Sequence, residues 1–330
     1  MRIIKRIAIV GSTGLVGRTV LKVLEEKNFP NCSYTLFSSQ KSAGQKVKFL
    51  GQNYIICELK ENSFDSGFDY AIFCAGGNVS KKFIPIAVKN GCTVIDNSSI
   101  FRMDENVPLV VPEVNPEDIA SNNGIIANPN CSTIQAVLPL KPIYDNYGIK
   151  RIVYSTYQAV SGAGRYGIED LESGPENKPL KNFPYPIYNN CIPQIDEFTQ
   201  DGYTKEEHKM INETRKILHD SNLKITATTV RVPVKNCHSE SINIELKNNF
   251  DIYDIKILLQ NFPGIILVDD TEKKHYPLPT KVDGNDEVFV GRVRRDYSIE
   301  NGLNIWVVAD NLRKGAATNA VQILGKILES

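Results

Sequence analysis

The chain has 330 residues, of which 38 are basic and 38 acidic, so its formal net charge is zero. With 42% hydrophobic and 23% charged residues it has the composition of an ordinary globular protein, and its charge balance excludes a broad electrostatic footprint for nucleic acid or an anionic membrane. A chain of this length has room for two domains, and we expect its partners to be small molecules or a second copy of itself.

The seven cysteines are odd in number and widely spaced, with no CxxC pair and no zinc-like spacing with the four histidines. We therefore predict neither disulfides nor a metal site. The N-terminal segment is basic and then apolar, as in a signal peptide, but a glycine turn ends its apolar run within a few residues. No stretch approaches the roughly 20 apolar residues of a membrane span, so we expect a cytoplasmic location.

The N-terminal third alternates predicted strands with predicted helices. A strand over residues 3–11 leads through a glycine-rich turn into a helix with apolar residues at Val20, Leu21, Val23 and Leu24. Further strands are predicted at 34–38, 69–75 and 92–99, and the run KKFIPIAVKN predicts a helix between the last two. Short apolar strands separated by helices predict a Rossmann-like, doubly wound parallel sheet, an α/β fold.

The turn after the first strand carries Gly11, Gly14 and Gly17 in the pattern GxxGxxG, a variant of the dinucleotide fingerprint. Glycines let the backbone approach a pyrophosphate at a helix N-terminus. Close packing of a strand against a helix also needs glycine, so the triplet by itself leaves both interpretations open. Its position directly between a strand and a helix favours nucleotide binding.

The segment after the second strand indicates which nucleotide is bound. An NAD site normally places Asp or Glu there to hold the ribose hydroxyls, whereas this chain has SSQKSAG at 38–44. Ser39, Lys41 and Ser42 offer hydroxyls and a cation, which suit a 2′-phosphate. The segment therefore predicts NADP, although a polar surface loop has a similar composition.

Cys131 lies in the run NPNCST, directly before an apolar stretch with helical periodicity. Asn130 is a suitable N-cap, which places Cys131 in the first helical turn, where free N–H groups and the positive end of the helix dipole favour a thiolate. These features predict a thiol nucleophile. The alternative is a small buried hydrophobic residue, as most free cysteines are.

Longer strands are predicted in the second half, at RIVYSTYQAVSG, KITATTVRVPV, SINIELK and LNIWVVAD. Their alternating pattern predicts a mixed or antiparallel sheet with one packed face, in an α+β domain. His238 follows one of these strands in RVPVKNCHSE, where it is a candidate general base for the cysteine. A purely structural histidine is the alternative.

These motifs together resemble a known family. The ordered set GSTGLVG, SSQKSAG, FCAGGNVSKKF, VIDNSSIFR, VPLVVPEVN, NPNCSTIQ, STYQAVSGAG, YTKEEHKMINETRKIL, RVPVKNCHSE and DNLRKGAATNAVQI is similar to aspartate-β-semialdehyde dehydrogenases from about residue 5 to residue 325. The resemblance implies an NADP-binding Rossmann-like domain at 1–130, completed by the C-terminal helix at about 311–330. It also implies a catalytic and dimerisation domain at 131–310 and a homodimer.

The resemblance assigns roles to single residues. Cys131 matches the nucleophile that attacks the C4 carbonyl, His238 the acid and base, and Gln158 the amide that orients the acyl intermediate. Arg231 matches the arginine that binds the substrate α-carboxylate, and Glu206 the glutamate that contacts its amino group. The implied phosphate ligands are Arg102, Lys209 and Asn97. The implied cofactor contacts are Gly11, Thr13, Gly14, Leu15, Val16, Ser39, Lys41, Ser42, Ser161, Gly162 and Asn311.

Without the resemblance, the Glu206–Lys209 pair would pass for part of a solvated, charged helix face. Lys41 stands where many family members carry arginine, which leaves the strictness of the NADP preference open. Cys191 and Cys237 match no catalytic position, and we interpret both as packing residues.

The implied reaction is the reversible, NADPH-dependent reductive dephosphorylation of L-4-aspartyl phosphate to L-aspartate 4-semialdehyde through a cysteine thioester. It serves the biosynthesis of lysine and diaminopimelate, threonine, methionine and isoleucine. An N-acetyl-γ-glutamyl-phosphate reductase is the alternative, but its substrate has a blocked amine that gives Glu206 no role. A relative that only binds nucleotide is a further alternative, although none of the expected catalytic residues is missing.

Overall fold

The structure, a computed structural model, describes residues 4–176 and 178–329, so Ile3 of the first predicted strand lies outside the described residues. The strands are β1 Lys5–Val10, β2 Cys32–Ser38, β3 Lys46–Phe49, β4 Gln52–Ile55, β5 Cys57–Glu58, β6 Tyr70–Phe73, β7 Thr93–Asp96, β8 Ile125–Ala127, β9 Ile149–Gln158, β10 Lys224–Arg231, β11 His238–Leu246, β12 Ile265–Leu267, β13 Val288–Asp296 and β14 Gly302–Ala309. The helices are α1 Leu15–Lys27, α2 Gly77–Lys89, α3 Cys131–Tyr147, α4 Gly164–Glu172, α5 Lys205–Ile217, α6 Ile252–Asn261, α7 Pro279–Val282 and α8 Asn319–Glu329.

The chain folds as two units, one formed by residues up to 129 together with those from 316 onward, the other by residues 130–315. The first unit contains a six-stranded sheet in the order β5-β2-β1-β6-β7-β8, with every neighbouring pair parallel. This arrangement confirms the predicted Rossmann-like sheet. Strands buried on both faces need the continuous apolar runs that the sequence has at these positions.

The core of the first unit joins distant parts of the chain. Ile7 and Ile9 of β1 pack in one cluster with Leu24 of α1 and with Val321 and Leu324 of α8, and all five are fully buried. Each such side chain contributes about 1.5–3 kcal/mol of transfer free energy when buried. The C-terminal helix therefore belongs to the core of the N-terminal unit.

The glycine turn between β1 and α1 is required by close backbone contacts. Gly11 has a φ of +82°, a conformation that residues with a Cβ rarely adopt. A Cβ on Gly17 would lie 2.2 Å from the carbonyl oxygen of Gly11, whereas one on Gly14 would lie at an ordinary 3.5 Å. The packing interpretation of the glycine triplet thus holds for Gly17, and it leaves Gly14 available for ligand approach.

The second unit contains a mixed six-stranded sheet in the order β10-β9-β11-β14-β13-β12. The pairs β10–β9 and β12–β13 are parallel, and the other neighbours are antiparallel. This confirms the predicted mixed sheet. Helices α3, α5 and α6 pack on it, and most of α3 is buried. Over the described ranges, no helix combines the length and apolarity that crossing a membrane requires.

Candidate active site

Cys131 is the first residue of α3, as the NPNCST motif predicts, and its side chain is half-buried. The Asn130 side chain caps the helix by accepting hydrogen bonds from the backbone N–H groups of Ser132 (3.0 Å) and Thr133 (3.3 Å). The Asn130 backbone N–H donates to Glu213 at 2.6 Å. The cap is therefore held from two directions, which fixes the start of the helix and the position of the thiol.

Gly315 leaves room for the Cys131 side chain. A Cβ at position 315 would lie 2.9 Å from the Cys131 Cβ and 3.3 Å from its Cα. The glycine belongs to a π-helical turn at Arg313–Thr318, a helix type that often marks functional sites. Its role was not predicted from the sequence, because the contact joins two segments that are distant in the chain.

The topology of the second sheet brings three predicted site residues together at one end of neighbouring strands. Gln158 ends β9, Arg231 ends β10, and the two pair in register on parallel strands. His238 begins β11. Because β11 runs antiparallel to β9, His238 lies at the end of the sheet where β9 ends. All three side chains are at least 95% buried. Residues up to 80 positions apart in the sequence thus lie side by side as Gln158, Arg231 and His238, which we call the catalytic row after their predicted roles.

His238 is fully buried, and its Nδ1 accepts a 2.9 Å hydrogen bond from the backbone N–H of Ala159. A neutral imidazole that accepts at Nδ1 carries its proton on Nε2. Burial, and then the positive charge of Arg231, lower the pKa of His238 well below its usual range. The Nε2 atom has no hydrogen-bond partner within the described part of the chain. The ring is therefore neutral and presents an N–H donor.

Arg231 is 95% buried and is held at one end. One terminal nitrogen donates a 2.6 Å hydrogen bond to the carbonyl of Ala159, and the guanidinium lies over the Phe183 ring at 5.9 Å. Burial lowers its pKa, while Glu206 and Cys131 act in the opposite direction. Its Nε is buried with no hydrogen-bond partner among the described residues. A guanidinium with an unused donor in a low-dielectric site can bind a carboxylate.

Gly162 lies between these two groups. A Cβ at position 162 would lie 3.1 Å from a terminal nitrogen of Arg231 and 3.3 Å from Nε2 of His238. The side chains of the base and the arginine therefore converge on the backbone of the segment that the resemblance assigns to the nicotinamide half of the cofactor. Ser161, beside it, exchanges hydrogen bonds of 2.9 and 3.2 Å with Asn311, whose side chain also accepts from the backbone N–H of Cys237.

Glu206 is the polar centre of the site and is only 5% exposed. One carboxylate oxygen accepts hydrogen bonds from the side chains of Asn130 (2.9 Å) and Gln158 (3.1 Å), and the other accepts one from Lys209 (3.2 Å). Burial favours the neutral acid, but Lys209, Asn130 and Gln158 outweigh it and lower the pKa of Glu206. The carboxylate is ionised and can contact an ammonium group.

Gln158 and Lys209 are both oriented by their neighbours. The Gln158 carbonyl oxygen accepts a 3.0 Å hydrogen bond from Thr156, while its amide nitrogen donates to Glu206, so the orientation of the amide is fixed. Lys209 also donates to Asp196 at 2.7 Å. Burial disfavours the charge of Lys209, yet the two carboxylates raise its pKa overall.

The other predicted phosphate ligands lie in the first unit. Arg102 is 8% exposed, and it donates to the carbonyls of Asn128 and Asn97, each at 2.9 Å. The Asn97 side chain donates to the carbonyl of Phe73 and accepts from the Asn128 side chain. These contacts hold the arginine and the asparagine in defined orientations at the carboxyl end of β7.

The predicted cofactor residues of the first unit surround the β1–α1 turn. Leu15 and Val16 begin α1, and Thr13 Oγ1 lies 2.8 Å from the Ser38 hydroxyl and 3.5 Å from that of Ser42. Ser39, Lys41 and Ser42 lie in the turn after β2, where Lys41 is exposed. The glycine turn and the end of the second strand thus meet, as in a dinucleotide site.

Cys237 and Cys191, the cysteines near the predicted site motifs that match no catalytic position, differ in burial. Cys237 is fully buried with Val282 and Val308, which confirms it as a packing residue, and burial raises its pKa, so it stays a thiol. The interpretation of Cys191 as a packing residue is wrong, because its side chain is exposed. The interpretation followed from the lack of a catalytic match, but Cys191 lies outside regular secondary structure, so no packed face covers it.

Comparisons with known proteins give semialdehyde dehydrogenases over nearly the whole chain. Residues 6–122 match the family model described as "Semialdehyde dehydrogenase, NAD binding domain", and residues 140–314 match "Semialdehyde dehydrogenase, dimerisation domain". The aspartate-semialdehyde dehydrogenase of Aquifex aeolicus is 56% identical over 96% of each chain. A structure of aspartate semialdehyde dehydrogenase II from Vibrio cholerae, complexed with ASA, is 46% identical, covers 99% of this chain and 98% of its own, and has a TM-score of 0.95. A Candida albicans enzyme of the same name, solved with NADP, is 26% identical, covers 99% and 98%, and has a TM-score of 0.78.

Proposed function

Because this chain belongs to the aspartate-semialdehyde dehydrogenase family, whose enzymes serve amino-acid biosynthesis, we propose that it reduces L-4-aspartyl phosphate with NADPH through a thioester on Cys131. The observation that carries the proposal is the buried set of groups around the start of α3. A capped nucleophile, an N–H donor, a cation and an anion are all present there, in the second unit.

The first step is acyl transfer to sulfur. The Cys131 thiolate attacks the acyl carbon of aspartyl phosphate, so a carbon–sulfur bond forms and the bond to the phosphate oxygen breaks. The positive end of the α3 dipole and the charge of Arg231 favour the thiolate. The fixed amide of Gln158 borders the acyl group and limits its rotation.

The second step is reduction. Bound NADPH supplies the hydride. As the thioester carbonyl gains negative charge, Nε2–H of His238 donates a hydrogen bond to its oxygen, and the resulting thiohemiacetal oxyanion then collapses to the aldehyde and the Cys131 thiolate without a net proton transfer. The hydrogen bond from Ala159 to Nδ1 suits this direction, since it keeps the proton on Nε2. In the reverse direction the same N–H donates to the oxyanion that forms when the thiolate adds to the aldehyde.

Recognition of the amino-acid end uses two opposite charges. Arg231 is proposed to bind the α-carboxylate, and Glu206 the α-ammonium group. Both are at least 95% buried, so their interactions with a ligand are screened little by solvent. An N-acetylated substrate has no ammonium group for Glu206 to contact, which argues against the glutamyl alternative.

The phosphate is proposed to bind to Arg102, Asn97 and Lys209. Arginine offers the planar fork that suits a phosphate, and lysine adds a point charge. The contacts of Arg102 with two backbone carbonyls leave its guanidinium oriented rather than free to rotate.

NADP is proposed as the cofactor. The residues fit a dinucleotide, because Gly14 precedes α1 with no side chain to block its N-terminus, and a Cβ there would meet only the Gly11 oxygen at 3.5 Å. Ser39, Lys41 and Ser42 are proposed to hold the 2′-phosphate, since the turn that they form carries a cation and hydroxyls. The family model's NAD-binding description and the NADP-bound Candida albicans relative support a nicotinamide cofactor.

A homodimer formed through the second unit is also proposed. Support comes from the name of the matching dimerisation domain and from the face of the sheet opposite the helices. There Tyr157 is 41% exposed and packs on Trp306 with ring centroids 5.7 Å apart. We expect Tyr157→Asp to shift the sedimentation coefficient from dimer to monomer, and an unchanged dimer would contradict this surface. A cytoplasmic location stays a prediction.

The proposed function is tested with a substrate panel. We expect purified protein to reduce NADP when given L-aspartate 4-semialdehyde and phosphate, and to do so more slowly with NAD. Omission of phosphate should stop turnover after one acylation per site. No turnover with the semialdehyde, alongside turnover of the N-acetylglutamyl analogue, would contradict the assignment. Turnover that continues without phosphate would contradict the phosphorolytic step.

A further inference from the structure

Asp170 anchors residues 181–183, a segment in which the structure describes neither a helix nor a strand. It lies in the last turn of α4, where the helix dipole disfavours an acid, and it is only 2% exposed. One carboxylate oxygen accepts a hydrogen bond from the backbone N–H of Lys181 at 2.7 Å, and the other accepts from those of Asn182 at 2.9 Å and Phe183 at 3.0 Å. Three consecutive N–H groups thus converge on a carboxylate that takes no part in the proposed reaction.

The contacts of Asp170 differ in kind from those of the acid beside it. Glu169 binds the exposed side chains of Arg165 and Lys181, each at 2.6 Å, and exposed ion pairs contribute little to stability. Asp170 binds backbone N–H groups instead, and hydrogen bonds to a carboxylate are roughly twice as strong as those between neutral groups. Asp170, rather than Glu169, therefore fixes the path of the main chain at 181–183.

The anchored segment brings Phe183 to Arg231. The Phe183 side chain is half-buried and packs in an apolar cluster with Val160, Ile187 and Ile192. The central carbon of the Arg231 guanidinium lies 5.9 Å from the centre of the Phe183 ring, which is within the range of a cation–π interaction. The ring therefore contacts the group that is proposed to bind the substrate carboxylate.

Helix α4 holds Phe183 at two points. Gly167 precedes Asp170 by three residues, so both lie on one side of the helix. A Cβ at position 167 would lie 3.3 Å from Cζ of Phe183 and 2.5 Å from the carbonyl oxygen of Val160. The tip of the ring thus lies against the helix at Gly167, and the main chain of the same residue is bound by Asp170.

We propose that Asp170 and Phe183 position Arg231 for the substrate carboxylate. Asp170 fixes the main chain at Phe183, and the ring of Phe183 in turn limits the motion of the guanidinium. The inference rests on the proposed carboxylate-binding role of Arg231. The hydrogen bond to the Ala159 carbonyl restrains one terminal nitrogen of the arginine, and the ring restrains the rest of the group. A donor that is already held in place loses less conformational freedom on binding, so the affinity for the carboxylate is higher.

Three single variants test the proposal. Phe183→Leu removes the ring but keeps an apolar side chain, and Asp170→Ala removes all three hydrogen bonds. We expect each to raise the KM for L-aspartate 4-semialdehyde about 3- to 10-fold, the size of a cation–π interaction. Their kcat and their KM for NADP should stay within about two-fold of wild type, since only binding of the amino acid is weakened. Glu169→Gln, which removes the neighbouring acid and leaves the backbone hydrogen bonds of Asp170 in place, is the matched control and should keep the wild-type KM.

A double variant tests whether the two residues act in sequence. If Asp170 acts through the ring, Asp170→Ala should add little to the KM in the Phe183→Leu background, whereas the effects of independent residues would multiply. Wild-type KM in Phe183→Leu would overturn the inference, as would fully multiplied effects in the double variant. A lower Tm of Asp170→Ala with an unchanged KM would also overturn it, because Asp170 would then only stabilise the fold. So would a rise in KM for Glu169→Gln equal to that for Asp170→Ala.

If Asp170→Ala does not fold, Asp170→Asn takes its place. The amide leaves at least one of the three N–H groups without an acceptor, so we expect a smaller rise in KM, and a wild-type KM would contradict the role of Asp170. Failure of the proposed role of Arg231 would appear differently, because Arg231→Lys would then leave the KM for the semialdehyde unchanged. Failure of this inference leaves that KM raised in Arg231→Lys and at the wild-type value in Phe183→Leu.

Discussion

Ala159 holds His238 through a 2.9 Å hydrogen bond from its backbone N–H to Nδ1, and the carbonyl of the same residue accepts the 2.6 Å hydrogen bond from Arg231. One residue after β9 therefore positions both the proton donor and the proposed carboxylate ligand. Because the backbone N–H can only donate, it selects the imidazole tautomer with hydrogen on Nε2. A protonated ring would set two N–H groups against each other.

We expect His238 to remain neutral around pH 6.5, where an exposed histidine is half-protonated. Burial, and then Arg231, lower its pKa, so the native state binds fewer protons than the unfolded chain as pH falls below about 6.5. His238 should thus contribute stability above that pH that is lost on acidification, and His238→Gln should weaken this dependence. ¹⁵N NMR of the ring gives the pKa directly, and a midpoint near 6.5 in the folded protein would contradict the assigned tautomer.

Replacement of two cysteines separates the nucleophile from an exposed thiol. Cys131→Ser should remove nearly all turnover, because serine at the start of α3 is not ionised near neutral pH. Cys191→Ser should keep most of it, since Cys191 is exposed and outside the hydrogen-bonded site. Steady-state rates of the two variants with L-aspartate 4-semialdehyde provide the comparison. Normal kcat in both would rule out covalent catalysis by Cys131.

Arg231→Lys should raise the KM for the semialdehyde and leave that for NADP almost unchanged. Lysine keeps the charge but loses the fork that contacts Ala159 with one nitrogen and leaves another for a ligand. We expect an increase of roughly 10-fold or more, as for the loss of one charge-assisted hydrogen bond. The reverse pattern, with only the KM for NADP raised, would place Arg231 at the cofactor.

The sequence predicted those features that depend on neighbouring residues. Periodicity located the strands β2, β6 and β7 to within a few residues, and local capping chemistry placed Asn130 before the helix of Cys131. Parallel strands and N-caps follow from short-range patterns, because apolar runs and hydrogen-bonding side chains act within one or two turns.

Features that depend on distant segments could not be predicted in this way. Glu206 and Glu213 are two helical turns apart in a charged run typical of a solvated face, yet both are buried because Asn130, more than 70 positions earlier, supplies their partners. Glu240 occupies a position that the strand's alternation assigns to the buried face, but a glutamate is seldom fully buried, so its residue type favours exposure. Only the tertiary contacts show that these carboxyl groups are inside.

Two glycine substitutions in the same turn should have different effects. In Gly17→Ala the new Cβ would lie 2.2 Å from a backbone oxygen, so the strand and helix must separate, and we expect a loss of about 2–4 kcal/mol in unfolding free energy. Gly14→Ala meets only an ordinary 3.5 Å contact and should unfold near the wild-type midpoint. Chemical denaturation measures both. Equal stability of the two variants would contradict the packing role assigned to Gly17.

Substitution of Lys41 tests which cofactor the β2 turn favours. If the lysine contacts the 2′-phosphate, Lys41→Ala should lower kcat/KM for NADPH roughly 10-fold and leave kcat/KM for NADH nearly unchanged, because NADH has no phosphate there. Lys89→Ala, which removes an exposed lysine at the end of α2, is the matched control for a general loss of positive charge. Because Lys41 contacts a phosphate as a point charge and lacks the bidentate fork of arginine, we expect its preference for NADPH to be incomplete and the wild type to retain some turnover with NADH. Equal losses with both cofactors, or equal effects of the two variants, would show that Lys41 acts through surface charge and not through the 2′-phosphate.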